Sequence, residues 1–391
     1  MRWVVVASLV AGCYPVEGNE CEPGPFWDGP YLENPHVAST GERMLVGWRE
    51  VTIDGDVSGT FHGAFTDGMT TEAPFDYEPG LEPRSALSGP DRALVTGGLG
   101  DGRSFHELRL PTGARVGPAF ELAGFTGTCA FDGDAFLIVR PGGLVRVGLD
   151  GTTGPLIAID GIGACAATAN VTWVMTGGLD EPLTGRRIAR GGGVLDPIPR
   201  LLLDEAYIWI AAARPSETVI VSQDRDDQRT VVVVADDGSV TTRPLAIDVA
   251  FSRPAILVAE RDGYLLILEG TGKPVAHGVH LAPDGSVLGA PFVLVDPIRG
   301  NTIAAARTGA ATTVVFDELS NLGNPPRIDS IRIDDGQLPR DAAVIATVEG
   351  EAYTVDCGCQ TGRGAGGLVG LVGLLLCGSR RRARETRRPA T

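Results

Sequence analysis

One element recurs along the middle of the chain and restricts its fold more than any other feature. Small apolar residues lead into a turn carrying Gly, Asp, Asn or Ser, and a β-branched or aromatic run follows. Four copies line up closely, beginning at Cys129, Cys165, Ala212 and Ala305. Segments beginning at Val37 and Ala346 fit the same pattern, and looser copies begin at Ala86 and Val258. Small residues, a tight turn and a strand-forming run together spell a β-hairpin.

Successive copies start about 36 to 49 residues apart, averaging near 44, and a four-stranded propeller blade occupies about 40 to 50 residues. Between copies lie further strand pairs joined by Asp-Gly, as in VVVVADDGSVTTRPL and VHLAPDGSVLGAPFVLV. Asp-Gly supplies the positive φ that such turns need. Small residues at the head of each copy suit an innermost strand, where blades converge and bulky side chains would collide. The pattern predicts an all-β fold, a β-propeller of seven or eight four-stranded blades over residues 35–356. The eighth copy lacks room for its outer strands, so the N-terminal segment is expected to complete that blade.

A parallel α/β fold needs helices of 10 to 15 residues between strands, and the sequence offers none. The longest helix-like stretch, Leu201–Arg214, holds Tyr-Ile-Trp-Ile and reads as strand, with a turn at Leu203-Asp204-Glu205.

The two ends have a different character. MRWVVVASLVAGCYP has one Arg, a short apolar run, and small residues before Cys13, as in a secretory signal. Val10-Ala11-Gly12-Cys13 resembles the bacterial lipobox, which implies a diacylglycerol on Cys13; simple signal cleavage is the competing reading. Residues 1–13 are thus the signal and 14–34 a linker. At the other end, residues 357–391 run through Cys357-Gly-Cys359, a Gly-rich apolar stretch from Gly364 to Gly378, and an arginine cluster. An apolar run of about 15 residues is short for a membrane-spanning helix, which needs roughly 20. The arginines after it, Arg380, Arg381, Arg382 and Arg384, would stop transfer and keep the preceding body outside.

Cysteine pair, Gly-rich spacer, short apolar helix and arginine cluster, in that order, resemble the MYXO-CTERM tails of myxobacterial surface proteins. The resemblance covers only about residues 357–388. It implies processing by a myxosortase-type enzyme at Cys357 or Cys359, with signal peptidase acting at the other end. It implies nothing about the activity of the body. Cys377 departs from the pattern, where Leu or Ala is expected. A plain membrane anchor is the simpler alternative.

The chain carries a net charge of −16. Removing the tail's net +5 from that value leaves about −21 on the body. So acidic a surface repels phosphates, which argues against nucleic-acid binding. Cys129 and Cys165 occupy the same place in successive repeats. Neighbouring inner strands bring such positions within reach of a disulfide, and export permits one; two small buried thiols would fit equally well. Cys21 could bridge to whichever of Cys357 and Cys359 escapes processing, since a closed propeller brings its ends together.

No catalytic motif stands out. His277 and His280 are three apart, which on a strand puts the rings on opposite faces. Gly161-Ile-Gly163-Ala-Cys-Ala166 matches a dinucleotide fingerprint in letters, but a strand follows where a helix N-terminus is required. Asp224, Asp226 and Asp227 cluster in a loop without calcium-loop spacing and read as solvated turn residues. Asp132, Asp134, Glu217, Asp262 and Glu349 recur after the innermost strand, as turn-solvating carboxylates or as an acidic ring. No cofactor and no metal is expected. The sequence reads as an exported, envelope-anchored propeller that binds protein or glycan partners without catalysis. An exported hydrolase or lyase on the same scaffold is the alternative.

Overall fold

A computed structural model describes residues 25–354, apart from short stretches at 29–30, 55, 79–80, 100–102, 125–126, 178–180, 248–250, 271–274, 296–301, 319–325, 336, 340 and 348–350. Among the described residues every regular element is a strand, and no helix is long and apolar enough to cross a membrane. Seven sheets each contain four antiparallel strands, consecutive in the chain. Their innermost strands are Tyr31–Ser39, Glu82–Ser88, Gly127–Phe131, Ala164–Ala167, Ile208–Ala213, Phe251–Ala259 and Ile303–Thr308, here the inner strands of blades 1 to 7. The fold is a seven-bladed β-propeller.

The repeat correctly marks seven inner strands, and its small residues lie where expected: Ala164–Ala167, Ala211–Ala213 and Ala304–Ala306 are all in them. The eighth copy is not a blade. Ala343–Thr347 is the outermost strand of blade 7, and Glu351–Thr354 pairs with Pro25–Asp28 in a separate two-stranded ladder. An alternating pattern after a turn satisfies the hairpin signature whether the strand ends a blade or begins one, which is why the eighth copy misleads.

The second correction concerns Leu201–Arg214. Strand is right, but the chain does not turn at residues 203–205. Arg200–Ala206 is one continuous strand, the outermost of blade 4, and reversal comes at Tyr207 before the inner strand of blade 5. Leu202 and Ala206 are buried, which ties the strand to the core on both sides of the two acidic residues, and the extra length between them is taken up as irregular pairing with the third strand.

The core is divided among the spaces between blades. Strand residues alternate between two faces, and each face meets a neighbouring blade. Leu144, Val174 and Ile188 thus fill the space between blades 3 and 4. Trp173, Leu183, Ile220 and Val232 fill that between blades 4 and 5. Leu265, Ile267, Val314 and Ile333 do the same for blades 6 and 7. The ring closes between blades 7 and 1 without a shared strand: the Gly309 N–H donates to the Gly41 carbonyl at 3.0 Å, and Arg332 Nη1 to the Asp67 carbonyl at 2.7 Å. The Asp-Gly turns form as expected. Gly238 and Gly285 have φ of 89° and 77°, and the preceding Asp237 and Asp284 carboxylates accept the N–H groups of Ser239 and Ser286.

Candidate functional site

A loop on the outer part of blade 4 combines tight internal fixation with exposed apolar side chains. It joins the third strand, Glu181–Ala189, to the outermost, Arg200–Ala206, through the sequence Arg-Gly-Gly-Gly-Val-Leu-Asp-Pro-Ile-Pro. Gly191 and Gly192 turn the chain with φ near 103° and 104°. The returning segment then bonds back to the strand. The Ala189 N–H donates to the Gly193 carbonyl at 2.7 Å, and the Leu195 N–H to the Arg187 carbonyl at 2.9 Å.

Asp196 pins the loop. Its buried carboxylate accepts four hydrogen bonds, from the Arg187 N–H at 3.0 Å, Arg187 Nε and Nη2 at 2.8 Å each, and Arg200 Nε at 3.0 Å. Those bonds, the Arg187 side chain first among them, hold its pKa well below the ordinary carboxylate range. The Arg187 guanidinium also donates to the Asp236 carbonyl on blade 5 at 2.8 Å and lies 5.9 Å from the Trp173 ring centre. Polar groups so fully satisfied act as a rigid base.

On that base stand Val194, Leu195, Ile198 and Leu201, with 41%, 47%, 77% and 55% of their surface exposed. They are four of the twelve exposed large apolar side chains among the described residues, gathered within eight positions of the chain. Blade 3 supports the loop from the other side. A side chain at Gly192 would meet Ile157 at 3.1 Å and Arg146 at 3.5 Å, and Arg190 makes two bonds, of 2.7 and 2.6 Å, to Asp134. Deeper in the same junction Cys129 and Cys165 are joined as a disulfide, with their Cα atoms 4.9 Å apart.

The aromatic side chains are arranged in the opposite way. Trp48, Trp173, Phe65, Phe105, Phe136, Tyr77 and Tyr264 are buried, and among the described large apolar residues the only exposed aromatic is Tyr207.

Most of the sequence candidates become structural parts. Asp132 is buried, accepts the N–H groups of Asp134 and Ala135, and pairs with Arg146 at 2.9 Å. Glu217 pairs with Arg214 at 2.8 Å, and its backbone carbonyl accepts from Tyr264 of blade 6 at 3.2 Å. Asp262 is exposed, and Glu349 lies outside the described residues. The carboxylates after the inner strands therefore split between staples and solvent. Asp224 organises its own loop by accepting the N–H groups of Asp226 and Gln228. No group of three metal-ligating side chains comes together among the described residues.

His277 and His280 share the third strand of blade 6, and His280 Nδ1 lies 2.9 Å from Glu260. That carboxylate raises the pKa of His280. Gly161 and Gly163 precede the short inner strand Ala164–Ala167. Cys13, Cys21, Cys357, Cys359 and the arginines Arg380, Arg381, Arg382 and Arg384 lie outside the described residues.

Sequence reasoning missed the blade 4 loop. Its signal was present: four large apolar residues within eight positions of a Gly- and Pro-rich turn, interrupted by one aspartate.

No family model matches the chain, and no curated protein matches it. Its fold is similar to several solved structures. The BP39L lectin from Burkholderia pseudomallei aligns over 82% of this chain and 100% of its own, at 14% identity and a TM-score of 0.55. Prolyl oligopeptidase B from Galerina marginata aligns over 83% of this chain at 12% identity and a TM-score of 0.54, this chain spanning 51% of that one. The β-propeller domain of the Trilobed protease from Pyrococcus furiosus aligns over 81% and 98%, at 10% identity and a TM-score of 0.51. At such identities the likeness establishes the propeller and nothing finer.

Proposed function

We propose that this protein is an exported, envelope-anchored propeller that acts as a binding or scaffold platform for protein partners, without catalysis of its own. The observation that carries the reading is the aliphatic ridge of blade 4, fixed by Asp196 and braced against blade 3. Fixing a surface before binding removes part of the ordering cost of association. Side-chain chemistry favours protein over glycan. Sugar rings are held by exposed aromatic faces and convergent polar groups, whereas the exposed apolar side chains of this loop are aliphatic and, among the described residues, Tyr207 is the only exposed aromatic.

Export and anchoring rest on the two ends: a lipid on Cys13, processing at Cys357 or Cys359 by a myxosortase-type enzyme, and stop-transfer by the arginines from Arg380 to Arg384. The Cys129–Cys165 disulfide is consistent with an oxidising compartment. Intact-mass measurement of the mature protein from its own host tests both ends. A mass that still includes residues 380–391 removes the C-terminal proposal, and a mass without a diacylglycerol adduct removes the lipid.

The platform is tested with a photo-crosslinking residue at Ile198 in native envelopes. Discrete adducts at this position, absent with the crosslinker at exposed Asp262, are expected. Equal labelling at both positions would overturn the platform.

A second reading, an exported hydrolase or lyase, draws on one observation. His62 Nδ1 lies 2.7 Å from the Asp76 carboxylate, which orients the ring, and its Nε2 is 3.5 Å from Glu50; a histidine held among carboxylates is the group on which a catalytic role would be tested. A hydrolytic or lyase activity of the purified protein abolished by His62→Gln, with folding intact, would establish it.

A further inference from the structure

Anchoring raises the question of which side of the propeller meets the membrane, and strand order bears on it. Within each blade the strands are antiparallel and consecutive. The turn from inner to second strand and the loop from third to outermost strand therefore share one end. The second-to-third turn and the link to the next blade share the other. The chain enters blade 1 at Tyr31 and leaves blade 7 at Thr347, and both points belong to that other end. The propeller's two chain ends thus emerge on one face.

The opposite face is braced from blade to blade. The Gly89 N–H of blade 2 donates to the Ser39 carbonyl of blade 1 at 3.1 Å. Asn170 of blade 4 donates to the Asp236 carboxylate of blade 5 at 2.7 Å, and Arg214 of blade 5 to the Arg261 carbonyl of blade 6 at 2.9 Å. Arg190–Asp134 and Gly309–Gly41 do the same for blades 4 and 3 and for blades 7 and 1. This face also carries long loops. Its third-to-outermost connections run eight to ten residues in blades 1, 2 and 4 (67–74, 110–119 and 190–199), whereas the second-to-third turns opposite run one to five in blades 1 to 6. Long loops on a rigid scaffold are where binding groups concentrate.

Reach then sets the orientation. Thr347 and Cys357 are ten residues apart, which is at most about 35 Å of extended chain. An inverted propeller would use about 25 Å of that reach in passing the third strand of blade 7, Arg327–Asp334. Part of the same tether, Glu351–Thr354, is paired with Pro25–Asp28, so the N-terminal tether is bound to the same path.

From strand order and tether length we infer that the propeller stands on the membrane by the face its ends leave from, and presents the braced face, the blade 4 loop included, away from the bilayer. The inference rests on the anchoring in the proposed function. It adds the side from which a partner arrives, which is the aqueous phase and not the interior of the bilayer.

The test uses the mature protein from its own host, reconstituted on vesicles of phosphatidylethanolamine and phosphatidylglycerol that carry an acceptor dye on the headgroups. A fluorescent amino acid replaces Asp226, exposed in the second-to-third turn of blade 5, or Asp262, exposed in the inner-to-second turn of blade 6. The two positions lie at opposite ends of their blades, about 25 Å apart in height, so energy transfer to the headgroups should be severalfold stronger from Asp226. An unchanged urea midpoint checks that each labelled protein is folded. Equal transfer from both positions, or stronger transfer from Asp262, on vesicles that carry the protein through flotation overturns the orientation and keeps the anchoring. Protein that does not float with the vesicles defeats both.

Discussion

Acid should weaken this fold through two histidines that play no part in the ridge. His36 in the inner strand of blade 1 and His106 in the third strand of blade 2 are both buried. Burial is the main cause that pushes each pKa down from 6.5 to about 4; Arg140 adds to the effect at His106, while a backbone hydrogen bond at Asn34 partly opposes it at His36. His36 lies against Gly47, and His106 stacks on Phe120 at 5.3 Å while its Nε2 meets the Ser104 hydroxyl at 3.0 Å. Both rings are therefore neutral in the folded protein. As pH falls below 6.5 the unfolded chain takes up protons that the folded chain refuses, so stability falls until pH reaches about 4. Linkage gives a loss of about 2 kcal/mol per histidine at about pH 5 relative to pH 8, or about 4 kcal/mol for the pair. A domain with about 5–15 kcal/mol in total would feel that loss. His280 works the other way. Its pKa is raised, so its contribution is present below 6.5 and fades as pH rises through the folded value. Urea unfolding followed by the fluorescence of buried Trp48 and Trp173 measures the effect. The midpoint should fall steadily from about pH 8 to pH 5, and His36→Phe or His106→Phe should each remove about half of the dependence. A stability at about pH 5 within 1 kcal/mol of that at pH 8 would refute the argument.

Other consequences follow from the same contacts. Asp196→Ala leaves two guanidinium groups without their carboxylate and should cost about 3 kcal/mol, seen as a lower urea midpoint together with increased proteolysis between Arg190 and Arg200. Reducing Cys129–Cys165 opens a crosslink spanning 36 residues, for which chain entropy predicts a loss of about 4 kcal/mol; equal midpoints with and without reductant would contradict it. A methyl group at Gly47 runs into the His36 ring, so Gly47→Ala should cost about 1–3 kcal/mol by overpacking. That cost should shrink in a His36→Ala background, which a double-mutant cycle measures.

Local chemistry alone was enough to reveal most of the fold. The Ala-rich inner strands, the Asp-Gly turns and the spacing near 44 residues each report on neighbours close in sequence, and each blade is a run of consecutive strands. The place of Cys129 beside Cys165 was legible for the same reason, because both sit at one position of a repeat. The eighth repeat shows the limit of that logic. Ala343–Thr347 and Glu351–Thr354 have the hairpin pattern, but which strand each one pairs with is settled by residues far away in the chain.

The acidic residues divide the same way. Sequence shows that Asp132, Asp134 and Asp196 exist in turns or loops, where carboxylates normally meet water. Packing decides that Asp132 and Asp196 are buried, and that Arg146, Arg187, Arg190 and Arg200 reach them or Asp134. An arginine side chain spans several ångströms and can find a carboxylate on the next blade, as Arg190 does with Asp134 across 56 positions. Periodicity along the chain contains no term for that distance. That the strands form blades and that the blades repeat can be read from the order of residues alone. Their number, the charges that join them and the exposure of Val194, Leu195, Ile198 and Leu201 emerge only on packing, since exposure belongs to the assembled surface and to no single segment.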